Sequence, residues 1–122
     1  MKKFLLLLFV ILNYNSLVNS KETTFTNEIF KKAQANGKTV VINSWNRTCS
    51  TCKKQIKILN QAEKDFKEVL FLSFEQTKEA EVAKLLDIDY WTTIVVYRNN
   101  KEIYRSIGQT NKSEIYNIIQ SL

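Results

Sequence analysis

Residues 40–53 read VVINSWNRTCSTCK, and this stretch decides the fold. Val40-Val41-Ile42 is apolar at successive positions, which predicts a strand buried on both faces, as in a parallel sheet. A helix is predicted from about Ser50 to Phe66. Its expected inward face repeats at helical spacing and comprises Cys52, Ile56, Leu59, Ala62 and Phe66. The two cysteines therefore lie where a buried strand gives way to a helix.

Three further strands are predicted outside that stretch. Residues 69–74 form an apolar run like that of residues 40–42 and are typical of a second buried strand. Residues 93–97 and 102–106 are separated by Asn99-Asn100, and asparagine tolerates the positive φ angles of a tight hairpin turn. The sheet is therefore expected to be mixed.

Three further helices are predicted to pack on this sheet. One is capped by Thr24 or Thr26 and ends at Asn36-Gly37, and one spans residues 78–86. The last begins near Asn111, which has capping-box spacing to Glu114. It is expected to bury four residues, Ile115, Ile118, Ile119 and Leu122. The predicted fold class is α/β, with a central mixed sheet and helices on both faces.

The composition excludes several kinds of active site. The chain has 122 residues, a length that favours one domain. It contains no histidine, which excludes histidine-based nucleophile pairs, haem held by histidine and the usual zinc and copper sites. Its two cysteines cannot close a four-thiolate zinc site within one chain. We therefore expect neither a metal nor a bound cofactor.

The basic charge does not indicate a nucleic-acid-binding protein. Two of the 18 Lys and Arg residues, Lys2 and Lys3, precede residue 21, which leaves 16 against 12 Asp and Glu. Only three are arginine, the residue that phosphate and base recognition favours. Acidic residues are interleaved with the lysines throughout. We interpret the lysines as a solvated surface and expect no nucleic-acid partner.

Residues 1–20 have the pattern of a secretion signal. Lys2 and Lys3 precede nine apolar residues, 4–12, which is far shorter than the ~20 residues needed to span a bilayer. We predict cleavage after Ser20, leaving residues 21–122 as one domain with no stable membrane insertion. An uncleaved N-terminal anchor is the alternative. Export predicts a periplasmic or secreted protein in an oxidising compartment, where cysteine pairs form disulfides.

The position of the two cysteines favours redox chemistry. Cys49 is expected at a helix N-terminus, where free N–H groups and the helix dipole favour the thiolate, the nucleophilic form. Arg47, Lys53 and Lys54 add positive charge nearby. Cys52 lies one turn deeper, placed to attack a mixed disulfide at Cys49. The alternatives are a disulfide that only stabilises the fold and a metal site shared by two chains.

Over nearly all of residues 21–122, the chain resembles the thioredoxin family. Residues 40–45 are similar to the strand that leads into that family's active site, with Trp45 at the position of its tryptophan. Residues 87–97 are similar to the segment that crosses beneath the site, and residues 99–108 to the last hairpin. The resemblance implies a thioredoxin fold and thiol–disulfide exchange, with Cys49 as the attacking and Cys52 as the resolving cysteine.

Several residues depart from the family pattern. Its cis-proline aligns with Thr92, and because a cis bond before another residue costs about 2.5–4 kcal/mol, we predict a trans Trp91–Thr92 bond. Its buried aspartate and the lysine partner align with Asn43 and Phe71. Losing both charges avoids stranding one unpaired ion, but it leaves Cys52 without a built-in base.

Further departures lie beside the cysteines themselves. Thr48 replaces a tryptophan that commonly precedes the first cysteine. The hydroxyls of Ser50 and Thr51 are placed either to hydrogen-bond a thiolate or to cap the helix.

Glu75, at the end of the second buried strand, is either a proton acceptor near Cys52 or a solvated carboxylate.

The predicted substrate-binding residues are Trp45, Trp91 and Thr92. In the family, the backbone just before the proline pairs with the substrate chain, and Trp91 occupies that position here. With Tyr90 and Phe74, the tryptophans are candidates for an aromatic rim around the disulfide. Core packing is the alternative for Trp45 and Phe74.

Taken together, these features predict an exported thiol–disulfide oxidoreductase. Its expected partners are cysteine-containing exported proteins and a redox partner, and the expected state is a monomer. One alternative is a non-catalytic binding or chaperone-like module in which the Cys49–Cys52 disulfide is structural. Another is a thiol chaperone for copper or haem maturation, which differs in its client.

Overall fold

A computed structural model of the chain describes residues 23–121, which form a five-stranded sheet with four helices. The predicted signal at residues 1–20 and Leu122 lie outside the described residues. In chain order the elements are β1 (Thr23–Thr24), α1 (Asn27–Ala35), β2 (Val40–Trp45), α2 (Ser50–Asp65), β3 (Leu70–Glu75), α3 (Ala80–Leu85), β4 (Thr93–Arg98), β5 (Lys101–Ile107) and α4 (Lys112–Gln120). Within residues 23–121, no helix is long and apolar enough to cross a membrane.

The sheet is mixed, as the sequence predicts. Its strand order is β1-β3-β2-β4-β5, with β2 at the centre. β1, β3 and β2 run parallel, whereas β4 is antiparallel to both β2 and β5. The carboxyl end of β2 leads directly into residues 46–52, the cysteine segment, so the central strand of the sheet positions that segment.

Two hydrophobic cores cover the two faces of the sheet. α1 and α3 bury one face, with Phe30, Ala83 and Leu86 packed on Ile42 and Phe74. α2 and α4 bury the other face. That second core comprises Val41, Leu59, Ala62, Phe71, Ile94, Val96, Ile115 and Ile119. Helices therefore lie on both faces, which confirms the predicted fold class.

The strand predictions hold except at the N-terminal edge. Residues 40–42, 69–74 and 93–97 all fall within or within one residue of observed strands. Asn99 and Asn100 have φ angles of 50° and 65°, which confirms the tight hairpin. β1 was not predicted, because Thr23-Thr24 is too short and too polar to show a strand pattern.

The helix predictions need small corrections. Thr26 is the cap of α1, accepting a hydrogen bond from the Ile29 N–H, whereas Thr24 belongs to β1. α3 begins at Ala80 rather than Lys78, because a turn closed by hydrogen bonds to the Glu75 carbonyl precedes it. Asn111 caps α4 as predicted. Ile118 is half-buried rather than buried, and Leu122 is not described.

Arg98 fastens the C-terminal helix to the sheet from a buried position. Its Nε donates to Thr39 Oγ1 at 3.1 Å. Its Nη1 and Nη2 donate to the carbonyls of Ser121 and Ile119, each at 3.2 Å. A helix C-terminus presents unsatisfied carbonyls and a partial negative charge, so a cation stabilises it there.

Replacing Arg98 by Met is expected to lower the free energy of unfolding by about 2–4 kcal/mol. The substitution leaves one buried and two partly buried acceptors without a charged donor. Arg98→Lys is expected to lose less, because the cation remains, although as a single point donor. Chemical denaturation measures both. Arg47→Met, at an exposed position, is the matched control and is expected to change little. Equal stability of the Arg98 and Arg47 variants would contradict the role given to Arg98.

Candidate active site at the start of the second helix

Cys49 and Cys52 form a disulfide across the first turn of α2, with their Cα atoms 5.2 Å apart. Cys49 is itself the cap of the helix. Its Sγ accepts a hydrogen bond from the Cys52 backbone N–H at 3.1 Å. The cap is therefore the cysteine, and neither Ser50 nor Thr51 provides it. An N–H donor and a helix N-terminus both favour negative charge on the Cys49 sulfur.

The two sulfur-bearing residues differ in exposure. Cys49 is half-buried, whereas Cys52 is 1% exposed. Cys49 is therefore the more accessible residue of the pair, and Cys52 is buried one turn further along α2. Arg47, Lys53 and Lys54 are all exposed around this turn, so the surroundings of the disulfide are electropositive.

Asn46 holds the loop that presents Cys49. Its Oδ1 accepts from the Thr48 N–H at 3.0 Å and from Thr48 Oγ1 at 2.8 Å. Its carbonyl accepts from the Cys49 N–H at 3.2 Å, and its Nδ2 donates to Thr77 Oγ1. Asparagine commonly closes such turns through its own side chain. Thr48, which replaces the tryptophan that commonly precedes the first cysteine, thus serves as a hydrogen-bond partner in this turn.

Thr92 has an unusual backbone conformation beside the cysteine segment. The Trp91–Thr92 bond is trans, as predicted, and Thr92 has a φ of 69°. This left-handed region is unfavourable for a β-branched residue, at a cost of about 1–3 kcal/mol. The Thr92 N–H donates to the Ser44 carbonyl at 2.9 Å, a bond that proline cannot form. The Thr92 carbonyl accepts from the Gly108 N–H at 3.0 Å and from Gln55 Nε2 at 2.9 Å.

The neighbouring residues Tyr90 and Trp91 are exposed. The Tyr90 carbonyl is held by Ser44 Oγ at 2.9 Å and Thr93 Oγ1 at 2.6 Å. Trp91 differs, because within residues 23–121 neither its N–H nor its carbonyl forms a hydrogen bond. The Tyr90 and Trp91 residues are 63% and 45% exposed. The loop thus offers a free peptide edge and two aromatic rings, and beside them lies a surface groove lined by Gln76, Thr77, Asp89, Tyr90 and Trp91.

The other two aromatic candidates lie deeper. Trp45 is half-buried at the end of β2, and Phe74 is buried in the core that α1 and α3 cover. Phe74 is therefore a core residue, in line with the alternative stated for it. Trp45 ends β2, the strand that leads to Cys49, and Trp91 directly precedes Thr92, which is largely buried and bonded to that strand at Ser44.

The positions aligned with the family's buried ion pair are uncharged and line a small cavity. Asn43 and Phe71 border it together with Ser73 and Glu63. Ser73, rather than Phe71, lies directly opposite Asn43 in the β2–β3 register. Asn43 Nδ2 has no hydrogen-bond partner within the described chain. Burial raises the pKa of Glu63 at the rim of the cavity.

Glu75 is buried, so the interpretation of it as a solvated carboxylate at a strand end is wrong. It is only 7% exposed, because β3 extends through it and pairs it with Trp45 on β2. Lys78 Nζ lies 3.4 Å from its carboxylate. The Glu75 backbone N–H donates to Glu79 Oε2 at 2.9 Å. A buried, lysine-paired carboxylate thus lies at the same end of the sheet as the cysteines.

Gln55 also belongs to the site, although it was not among the predicted site residues. It is 0% exposed and follows Cys52 by one turn of α2. Its Nε2 donates to the carbonyls of Thr92 and Gln109, at 2.9 and 3.0 Å. The available signal in the sequence was a polar residue on the face of α2 that carries Cys52 and Leu59. That signal is weak, because glutamine is most often exposed to solvent.

The described part of the chain contains no cluster of three or more residues suited to hold a metal ion.

Comparison with known proteins places this site in a family. The family model for thioredoxin matches residues 16–121. Thioredoxin of Mycoplasma genitalium is 26% identical over 84 residues, covering 69% of this chain and 82% of its own length. Among solved structures, Trxlp of Edwardsiella tarda has a TM-score of 0.75 at 22% identity, covering 80% of this chain and 97% of its own. Mitochondrial thioredoxin 3 of Saccharomyces cerevisiae, in its oxidised form, has a TM-score of 0.72 at 20% identity, with coverages of 83% and 95%.

The match to the thioredoxin family model and the close cysteine pair identify a thiol–disulfide oxidoreductase. Because the family model covers most of its length, this chain belongs to the thioredoxin family.

Thr92→Gly is expected to raise the free energy of unfolding by about 1 kcal/mol, because glycine adopts a φ of 69° without a clash. Thr92→Pro is expected to lower it by about 2 kcal/mol or more, since proline fixes φ near −65° and has no N–H for Ser44. Chemical denaturation measures both, with exposed Thr110→Gly as control. A Thr92→Pro variant as stable as the wild type would contradict this explanation of the loop.

Proposed function

We propose that this protein is exported and exchanges disulfides with cysteines of other exported proteins. Cys49 forms the mixed disulfide and Cys52 resolves it. The observation that carries the proposal is the asymmetry of the pair. Cys49 is a half-buried residue whose sulfur accepts a hydrogen bond from a backbone N–H at the start of α2, whereas Cys52 is buried one turn further along the helix.

The proposed exchange transfers two electrons from the reduced Cys49 and Cys52 pair to a client disulfide. In the reduced protein, the Cys49 thiolate attacks one sulfur of a client disulfide, and the other client sulfur leaves as a thiolate that takes up a proton. The Cys52 thiol loses its proton and attacks the Cys49 sulfur, releasing the second client thiol. The client disulfide is reduced and Cys49–Cys52 is oxidised. A separate redox partner then returns two electrons to the pair, and the reverse sequence oxidises a client.

The free peptide edge of Trp91 supports a place for the client chain. Its N–H and carbonyl have no partner within the part of the chain that the structure describes, and peptide recognition by strand addition uses such groups. Trp45 and the exposed rings of Tyr90 and Trp91 are the proposed side-chain contacts. Thr92 shapes the loop. Main-chain pairing suits many clients, because it reads little of their sequence.

Export is proposed from the pattern of residues 1–20, with cleavage after Ser20 and a periplasmic or secreted location. In an oxidising compartment, reduction of a client needs an electron supply from outside it, which is why the redox partner belongs to the proposal.

Cys52→Ser tests the mechanism by removing the resolving sulfur. Reduced Cys52→Ser protein is expected to form a lasting mixed disulfide with a probe such as insulin, and with proteins of an exported fraction. These adducts disappear on treatment with dithiothreitol. Non-reducing electrophoresis detects them, and Cys49→Ser is the matched control that forms none.

The reduction potential of the pair separates the proposed function from a structural disulfide. A potential between about −270 and −120 mV is expected of a working exchanger. Three results together would instead indicate a binding module with a structural disulfide: a potential below about −300 mV, no mixed-disulfide adduct of the Cys52→Ser protein, and no acceleration of insulin reduction by the wild type.

A further inference from the structure

The loop of residues 90–92 must be held at a fixed place relative to the disulfide if a client is to reach both. Thr92 is the residue under strain in that loop, with a φ of 69°. The Thr92 N–H donates to the Ser44 carbonyl on β2, and the Thr92 carbonyl accepts from the N–H of Gly108, which directly follows β5. Neither bond connects the loop to α2, the helix that contains both cysteines.

Gln55 provides that connection. It lies three residues after Cys52, so both side chains project from the same face of α2, and both are buried. One nitrogen, Nε2, donates to Thr92 and Gln109 on two separate segments, at 2.9 and 3.0 Å. Its Oε1 has no partner among residues 23–121. The reverse orientation of the amide would bring an oxygen against two carbonyl oxygens, so the donor end is fixed toward the loop.

We propose that Gln55 is a positioning residue, and that it sets how the Trp91 peptide edge is presented to a protein client beside the disulfide. This inference rests on the proposed function. In this chain the side-chain amide provides a tie between the redox helix and the loop at the position where the resemblance places a cis-proline. Within residues 23–121 Gln55 forms no hydrogen bond to either cysteine sulfur, so its effect is expected on protein substrates alone.

Gln55→Met tests the inference, because methionine keeps a similar length and loses both donors. Relative to the wild type, we expect kcat/KM for insulin reduction to fall five- to twentyfold, mainly through KM. The rate constant with the small disulfide 5,5′-dithiobis(2-nitrobenzoate) and the glutathione equilibrium constant are expected to stay within twofold. Gln61→Met, an exposed glutamine on the same helix, is the matched control and is expected to leave all three unchanged.

Equal losses with insulin and with the small disulfide, or no loss with either, would overturn the inference. Thermal unfolding shows whether the variant is folded. Should Gln55→Met fail to fold, NMR of the wild type tests the tie instead. A scalar coupling across the hydrogen bond between the Gln55 side-chain nitrogen and the Thr92 carbonyl carbon supports the tie, and its absence refutes it. A wild type that does not accelerate insulin reduction above Cys49→Ser refutes the proposed function itself, before Gln55 is changed.

Discussion

The hydrogen bond from the Cys52 N–H to the Cys49 sulfur is the interaction on which the site depends. It makes a cysteine the cap of α2, so the end of β2, the turn held by Asn46 and the first turn of the helix all converge on one sulfur. The same N–H groups that need a capping acceptor stabilise negative charge there. The local structure and the chemistry therefore have a common cause.

Other residues of the site occupy positions where the family resemblance places residues that this chain lacks. Where a cis-proline would shape the loop, Thr92 adopts a left-handed conformation and is bound through both its N–H and its carbonyl. Where the resemblance places a buried acid, Asn43 is neutral, and the buried carboxylate of Glu75 lies at a different place, at the end of β3 with Lys78 beside it. Each change leaves the disulfide in place while it alters what surrounds the disulfide.

Most of the fold was predictable because it follows local patterns. The apolar run at residues 40–42, the Asn99-Asn100 turn and the Asn111 cap each act through a few adjacent residues. β1 escaped prediction because two threonines become a strand only by pairing with β3. Gln55 and the burial of Glu75 escaped it for the same reason. Their surroundings come from segments distant in sequence, which periodicity does not reveal.

The charge state of reduced Cys49 is the most direct test of whether the helix cap activates the sulfur. We predict that in Cys52→Ser protein the rate of alkylation of Cys49 by iodoacetamide rises at a lower pH than that of free cysteine, because the N–H groups at the helix N-terminus favour the thiolate. Free cysteine is measured alongside over the same pH range. A pH profile for Cys49 that coincides with that of free cysteine, or that lies at higher pH, would show that the helix cap does not activate the sulfur.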